Sequence, residues 1–403
     1  MTSRPSAART TRYLAGLTVV VILTAALLRA PILTVAPVAR VIGDDLQVGA
    51  GTIGLLTTIP VLCFAVFAPL AIVVIRRAGA DLALSITLVG IICGMVVRSL
   101  GGIAVVLVGT ALIGAFATIG NVVVPMLIAR DFSTRRSHAM TGVYTSSLTG
   151  GTMIVTLSTA PLADQWGWRG AVLIWAVFGV AALATWIPLR GIRRTMTPFG
   201  DGGRAPAPGG SVLRTGSTWM LALAFAGQSF AFYAVTAWLP TLLSDQGYGA
   251  AASGAIASIF QLTGIAGGLL LPLLTVNVSI RSGVIVVFVA WLAVPLGFLF
   301  APHAWLVWCV VGGLAQGAGI TVAFIMINAF GGDAHTAAGR SGVVQGIGYA
   351  IAAPGALIVG ALREATGAWT VPLLVVLAAV LLFGVGGWGV TRILRRPGAH
   401  VGG

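Results

Sequence analysis

"RGIRRTMTPFGDGGRAPAPGGSVLRTGS", residues 190–217, is the one long stretch of this 403-residue chain that would be costly to place in hydrocarbon. It is Gly, Pro and Arg where the sequence on both sides is almost unbroken Ala, Val, Leu, Ile and Phe. Ahead of it, apolar runs recur roughly at 13–38, 50–75, 82–100, 102–128, 138–161 and 168–189; after it they recur roughly at 218–243, 251–275, 282–300, 303–330, 340–362 and 369–394. At about 1.5 Å per residue each run reaches across a hydrocarbon core of about 30 Å. The runs are continuous rather than alternating, and their internal Gly and Pro are tolerated in membrane helices, so helices and not barrel strands are expected. The reading is an all-α membrane protein of twelve transmembrane helices: an N-terminal six-helix bundle over 1–189, a linker loop over 190–217, and a C-terminal six-helix bundle over 218–403.

Composition agrees. Hydrophobic residues make up 58% of the chain and charged ones 8%, too few to keep a soluble surface of this size dispersed. All 23 basic residues are arginine, against eight Asp and the single Glu364. With the N-terminus inside, the inner segments hold 18 arginines and the outer loops hold only Arg40, Arg169 and Arg363. That asymmetry predicts cytoplasmic N- and C-termini. It also explains the net charge of +14 without nucleic acid, since no Arg-rich face interleaved with aromatics exists outside the apolar runs. The first run is too long for a signal-peptide core and is read as the first helix.

Enzyme chemistry has little to work with. Cys63, Cys93 and Cys309 fall in expected spans without metal-ligand spacing, and His138, His303, His335 and His400 lie at helix ends or in the tail. No Ser/His/Asp set, phosphate loop or carboxylate pair can be assembled, so no catalytic residue, cofactor or metal is assigned. Sliding the chain by about 200 residues pairs Pro37 with Pro240, Gly114 with Gly317, Asp131 with Asp333, Gly142 with Gly342, Asp164 with Glu364 and Gly167 with Gly367. Two parallel six-helix repeats around a midplane site are the architecture of the major facilitator superfamily, which the chain resembles.

Within that superfamily the chain resembles the cyanate permease and 2-nitroimidazole transporter family. The likeness is carried by "LLRAPILTVAP" at 27–37, "GLLTTIPVLCFAVFAPLA" from Gly54, "VVPMLIARDF" ending the fourth run, "AWLP" at 237–240 and "VVQGIGYAIA" from Val343. Members usually carry Arg-Pro where this chain has Arg29, Ala30, Pro31, which displaces the break in the first helix by one residue. The superfamily's Gly-x-x-x-Asp-Arg-x-Gly-Arg-Arg motif is reduced to "RRAG" from Arg76, without its acidic residue.

Arg29 is the leading candidate for substrate contact. A guanidinium well inside a span either snorkels to the interface, or faces a cavity where it attracts an anionic or dipolar solute. Arg98, near the outer end of the third run, divides evenly between snorkelling and a mouth or second-site role. Asn121, Gln228, Tyr233, Gln261, Gln316, Gln345 and Tyr349 complete the candidate substrate-binding set, because buried amides and phenols must find partners. Gln345 and Tyr349, four apart, share a helix face. For each, an interhelical hydrogen bond competes equally with ligand contact. Asn121 and Gln345 lead the amides because the family resemblance reaches them.

Every acidic residue and every histidine falls in a loop or at the end of an expected span, which disfavours coupling through a buried carboxylate. Asp131 is the nearest exception and is expected to pair with Arg130, Arg135 or Arg136. The expected function is a secondary or facilitative transporter that moves a small anionic or polar compound, such as cyanate-like ions or nitro compounds, by alternating access. A multidrug exporter is the alternative, and a membrane sensor or scaffold lacks the soluble domain it would need. The expected setting is a bacterial inner membrane, with the lipid bilayer and a small molecule as partners, no nucleic acid, and a monomeric state.

Overall fold

A computed structural model describes residues 7–198, 215–248, 250–330 and 334–395. Residues 199–214, the middle of the expected linker, lie outside the described residues. The described residues are helical throughout, with short connections. The first helices are α1 (Ala7–Leu33), α2 (Ala39–Leu46), α3 (Ala50–Val66), α4 (Ala68–Arg98), α5 (Ile103–Asp131), α6 (Thr134–Leu173), α7 (Val177–Arg190) and the short α8 (Ile192–Met196). They are followed by α9 (Gly216–Asp245), α10 (Ala250–Asn277), α11 (Ile280–Phe300), α12 (Trp305–Ala329), α13 (Ala334–Ala352), α14 (Gly355–Thr366) and α15 (Thr370–Leu394).

Ten helical stretches among the described residues are long and apolar enough to cross a membrane. Two of them contain an internal break. The stretch Thr134–Arg190 has 57 residues, which as one straight helix would be about 85 Å long at 1.5 Å per residue. Gly167 interrupts it with φ 68° and ψ 164°, and Gly79 interrupts α4 with φ 79° and ψ 160°. A side chain at either position would sit in a region L-residues avoid, so glycine is what lets two helices abut there. Interior prolines at Pro31, Pro60, Pro125, Pro161, Pro240, Pro272 and Pro295 leave helix carbonyls without their usual donors.

The described residues within Met1–Cys63, Leu70–Val124 and Ile154–Arg204 form one compact unit, and those within Phe64–Pro69, Pro125–Met153 and Ala205–Gly403 form a second. In the first unit, α1 packs on α7, and α2 closes one end by burying Val38 and Ile42 with Val35, Leu56, Val106 and Trp168. In the second, α10 lies against α12 so closely that a Cβ on Gly317 would overlap the Gly264 carbonyl. Gly114 serves the same purpose in the first unit, setting α5 against Pro60 and Cys63 of α3. The second unit also takes in the start of α6. Ser146 Oγ donates to the Ile265 carbonyl at 2.9 Å, Thr145 and Thr321 share a hydroxyl hydrogen bond of 2.5 Å, and His138 Nδ1 lies 3.1 Å from Thr275 Oγ1.

One structural device occurs in both units. In the first, Asp45 Oδ2 accepts from Trp168 Nε1 at 3.1 Å and from Arg169 at 2.6 Å, with the guanidinium 4.4 Å from the centre of the Trp168 ring system. In the second, Asp245 Oδ2 accepts from Trp369 Nε1 at 2.8 Å and from Arg363 at 2.8 Å, with that guanidinium 5.4 Å from the Trp369 centre. A left-handed glycine precedes each tryptophan, Gly167 at φ 68° and Gly367 at φ 66°. Asp45 lies on α2, outside the spans. The indole N–H of Trp168, together with the Arg169 guanidinium, holds its carboxyl below the ordinary carboxylate range.

Candidate functional site

Arg29 sits in α1 two residues before Pro31 and four before the helix ends, half-buried between fully buried Leu28 and Ala30. The helix is held at this point by α5, where a Cβ on Gly120 would press into Leu28. Asn121, the next residue of α5, is 4% exposed.

Arg98, expected to snorkel or to face a mouth, is 1% exposed. Its NH1 donates to the Pro31 carbonyl at 2.5 Å and its NH2 to Thr34 Oγ1 at 3.2 Å, while Thr34 Oγ1 itself donates to the Pro31 carbonyl at 3.1 Å. Helix ends carry partial negative charge on their last carbonyls, and a buried cation is tolerated there when it is hydrogen-bonded. The guanidinium therefore caps the end of α1 from α4. Gly109 lets α5 approach the end of α4 that carries it, since a Cβ at 109 would overlap the Arg98 backbone. Arg98 is thus tied to the Pro31 break, whose carbonyl belongs to the residue two positions after Arg29.

Three of the amides meet in the second unit. Trp291 Nε1 donates to Gln228 Oε1 at 2.7 Å, Gln228 Nε2 donates to the Gln316 carbonyl at 3.1 Å, and Gln316 Nε2 donates to Gln261 Oε1 at 3.2 Å. The indole can only donate, so it fixes which end of the Gln228 amide faces it. Gln228 and Gln316 are 1% and 3% exposed and are tied to neighbouring helices, whereas Gln261 is half-buried at the end of the chain. For Gln228 and Gln316 the hydrogen bonds seen are interhelical ones. Trp291 did not stand out in the sequence; the only clue was an indole donor in a run with no polar neighbour to receive it.

The remaining candidates lie apart from this chain. Gln345 Nε2 donates to Ser341 Oγ one turn back on α13 at 2.9 Å. Tyr349 stands in a ladder of buried rings: Phe64 to Tyr349 at 5.2 Å, Tyr349 to Phe225 at 5.1 Å, Phe225 to Phe324 at 5.9 Å and Phe324 to Tyr144 at 5.7 Å. Tyr233 is half-buried and stacks edge-on against its neighbour Phe232 at 5.1 Å. At the C-terminal end of α5, Asp131 takes a two-point contact from Arg130, both bonds 3.0 Å. Asp81, two residues past Gly79, pairs with Arg190 at 3.5 Å. The degenerate "RRAG" segment thus has an acidic residue close by after all, displaced along the chain where motif reading did not look for it. No group of three or more His, Cys, Asp or Glu that could hold a metal occurs among the described residues.

Residues 17–354 match the model of the Major Facilitator Superfamily. The chain belongs to the major facilitator superfamily. Among curated relatives it is 33% identical to the 2-nitroimidazole transporter of Escherichia coli over 91% of this chain and 93% of that one. It is 32% identical to the uncharacterized transporter YycB of Bacillus subtilis, covering 91% and 90%, and 25% identical to the cyanate transport protein CynX of Escherichia coli, covering 78% and 81%. The resemblance read from the sequence is therefore to the right branch. Among solved structures, the proton:xylose symporter XylE superposes with a TM-score of 0.74 at 12% identity over 95% of both chains. FucP in its outward conformation gives 0.72 at 14% identity over 96% and 100%. At such identities these establish the fold and not the solute. Members of this superfamily are transporters rather than enzymes, and this one is a multi-pass membrane protein that moves a small molecule.

Proposed function

We propose that this transporter carries a small anionic or strongly dipolar compound, of the size of cyanate or a nitro-heterocycle, across a bacterial inner membrane by alternating access, and that Arg29 contacts the substrate. The observation that carries the reading is Arg29 itself. A guanidinium held half-buried inside a spanning helix costs several kcal/mol to insert, a cost tolerated where it serves binding. A second arginine, Arg98, is spent on capping the same helix just beyond it. Two of the relatives bear names of transporters for a nitro compound and for an anion, which fits the same charge logic.

Twelve helices in two six-helix repeats with cytoplasmic termini supply the frame for this reading. The glycine break at Gly167 divides one over-long stretch into two crossings, and the break at Gly79 leaves the first part of α4 to extend α3 ahead of a separate crossing that ends at Arg98. The doubled carboxylate, indole and guanidinium clamp, Asp45 with Trp168 and Asp245 with Trp369, is what a duplicated bundle would retain. A monomer with two bundles, 1–189 and 218–403, is the simplest assembly. Asn121, Gln261, Gln345, Tyr233 and Tyr349 are the further residues proposed to line the path, with Gln228 and Gln316 holding Gln261 in place. A second reading is export of apolar compounds; the carbon-lined crevice between α9, α11, α14 and α15, bounded by Trp238, Phe298, Val359 and Trp369, has a volume of only about 30 Å³ and would have to widen to take one.

The test is ligand-induced thermal stabilisation of the purified protein with cyanate, nitrate, 2-nitroimidazole and a set of cationic drugs, repeated on Arg29→Gln. The reading expects stabilisation by an anion or nitro compound that the variant loses. Stabilisation by cationic drugs alone, undisturbed in the variant, would make Arg29 a snorkelling residue and favour the apolar exporter.

A further inference from the structure

We infer that the arginine-rich ends of α11 and α15 form a binding site for the headgroup of an anionic phospholipid. The Arg281 guanidinium lies 4.0 Å from the centre of the Trp388 ring system and the Arg392 guanidinium lies 5.8 Å from the same centre. Two positive charges are therefore held on one indole, and among the described residues neither arginine has a carboxylate within 4.0 Å. Among the described residues, the other arginines stacked on an indole differ in this respect: Arg169, Arg190 and Arg363 each have an aspartate as partner. Like charges brought together without an acid leave a site that favours an anion, and paired guanidinium forks match phosphate oxygens.

What makes the anion a lipid is the surface that leads away from the cluster. On α11, Arg281 is followed at intervals of four by Ile285 and Val289, which are 41% and 58% exposed. On α15, Leu381 and Val385, 47% and 60% exposed, precede Trp388, and their spacing of four and three residues keeps all three on one stripe with Arg392. The two helices are drawn together by Gly384 against Phe288 and Gly387 against Val284, so the apolar stripes run side by side. Trp388, 37% exposed, stands at the junction of charge and hydrocarbon, where tryptophan is favoured in membranes. A free phosphate would use the arginines and ignore the stripes. A phosphatidylglycerol uses both, with its phosphodiester between the guanidiniums and its acyl chains along Ile285, Val289 and Val385. The site lies on a different face of the second unit from the carbon-lined cavity and does not depend on which solute is carried.

The experiment uses the full-length protein purified in a neutral detergent and measures thermal unfolding during titration with short-chain phosphatidylglycerol, short-chain phosphatidylcholine and inorganic phosphate. Phosphatidylglycerol is expected to raise the midpoint beyond phosphatidylcholine, with phosphate alone giving no such rise. In Arg281→Gln with Arg392→Gln the half-effect concentration of phosphatidylglycerol is expected to rise about fivefold per arginine removed, while the phosphatidylcholine curve is unmoved. If that variant does not fold, Arg281→Lys with Arg392→Lys retains the charge, loses the forks, and is expected to weaken phosphatidylglycerol several-fold. Equal shifts from the two lipids, a shift unchanged in either variant, or phosphate acting as well as phosphatidylglycerol would each overturn the assignment.

Discussion

Replacing Trp291 with Phe removes one atom group of consequence, the indole N–H that donates to Gln228 Oε1 at 2.7 Å. Both residues are fully sealed, at 0% and 1% exposure, so water cannot take the vacated place. An unsatisfied buried acceptor costs about 1–3 kcal/mol in soluble proteins, whereas interhelical hydrogen bonds in membrane proteins average about 0.6 and reach about 1.7 kcal/mol. The larger membrane value is the better guide here, because the pair is short and enclosed. Ring contraction adds a cavity cost that has nothing to do with the hydrogen bond, so the single variant cannot isolate it. A double-mutant cycle can. Trp291→Phe, Gln228→Met and the combined variant are compared by reversible unfolding in mixed detergent and dodecyl sulfate. Once Met replaces Gln228, the orphaned acceptor is gone and Trp291→Phe should cost about 1–1.7 kcal/mol less than it does alone. Additivity within about 0.3 kcal/mol would show that the contact contributes nothing, and the account of the glutamine chain as a scaffold for Gln261 would fail.

Two further predictions concern the ends of helices. Arg98→Ala should destabilise by about 2–5 kcal/mol, as large-to-small changes in sealed sites do. Arg98→Lys should cost less than half of that, since it keeps a donor for the Pro31 carbonyl but cannot reach Thr34 as well. Equal losses in thermal unfolding for Lys and Ala would refute capping by the fork. Asp45 titrates below its ordinary carboxylate value, so its contribution to stability is present above that value and is lost as pH falls through the lower folded one. Acid unfolding of the wild type should therefore steepen below about pH 4, and Asp45→Asn should remove that part of the pH dependence; an unchanged acid limb in the variant would contradict the clamp.

Much of the fold could be read from one-dimensional information because a bilayer imposes it. A run of apolar residues long enough to cross hydrocarbon has to be a helix, and the Gly, Pro and Arg of 190–217 have to interrupt the runs. The pairing of Gly114 with Gly317 and Gly167 with Gly367 was visible as an offset, and the structure gives those residues equivalent positions: close helix approach for the first pair, left-handed backbone for the second. The family branch was legible from "LLRAPILTVAP" and "VVQGIGYAIA".

The roles of individual polar side chains were not. Arg29 and Arg98 look alike in the sequence, each a lone cation in an apolar setting. Only the fold shows that Arg98 is spent on Pro31 and Thr34, because the contact joins residues 67 and 64 apart in the chain. The same holds for Gln228, whose partner Trp291 lies 63 residues away, and for Asp245, claimed by Arg363 and Trp369 from 118 and 124 residues away. Hydropathy is a property each residue carries with it, so the sequence by itself determined the membrane and the helices. A hydrogen bond is a property of two groups within about 3 Å of one another, and which groups those are is decided only when the helices have packed.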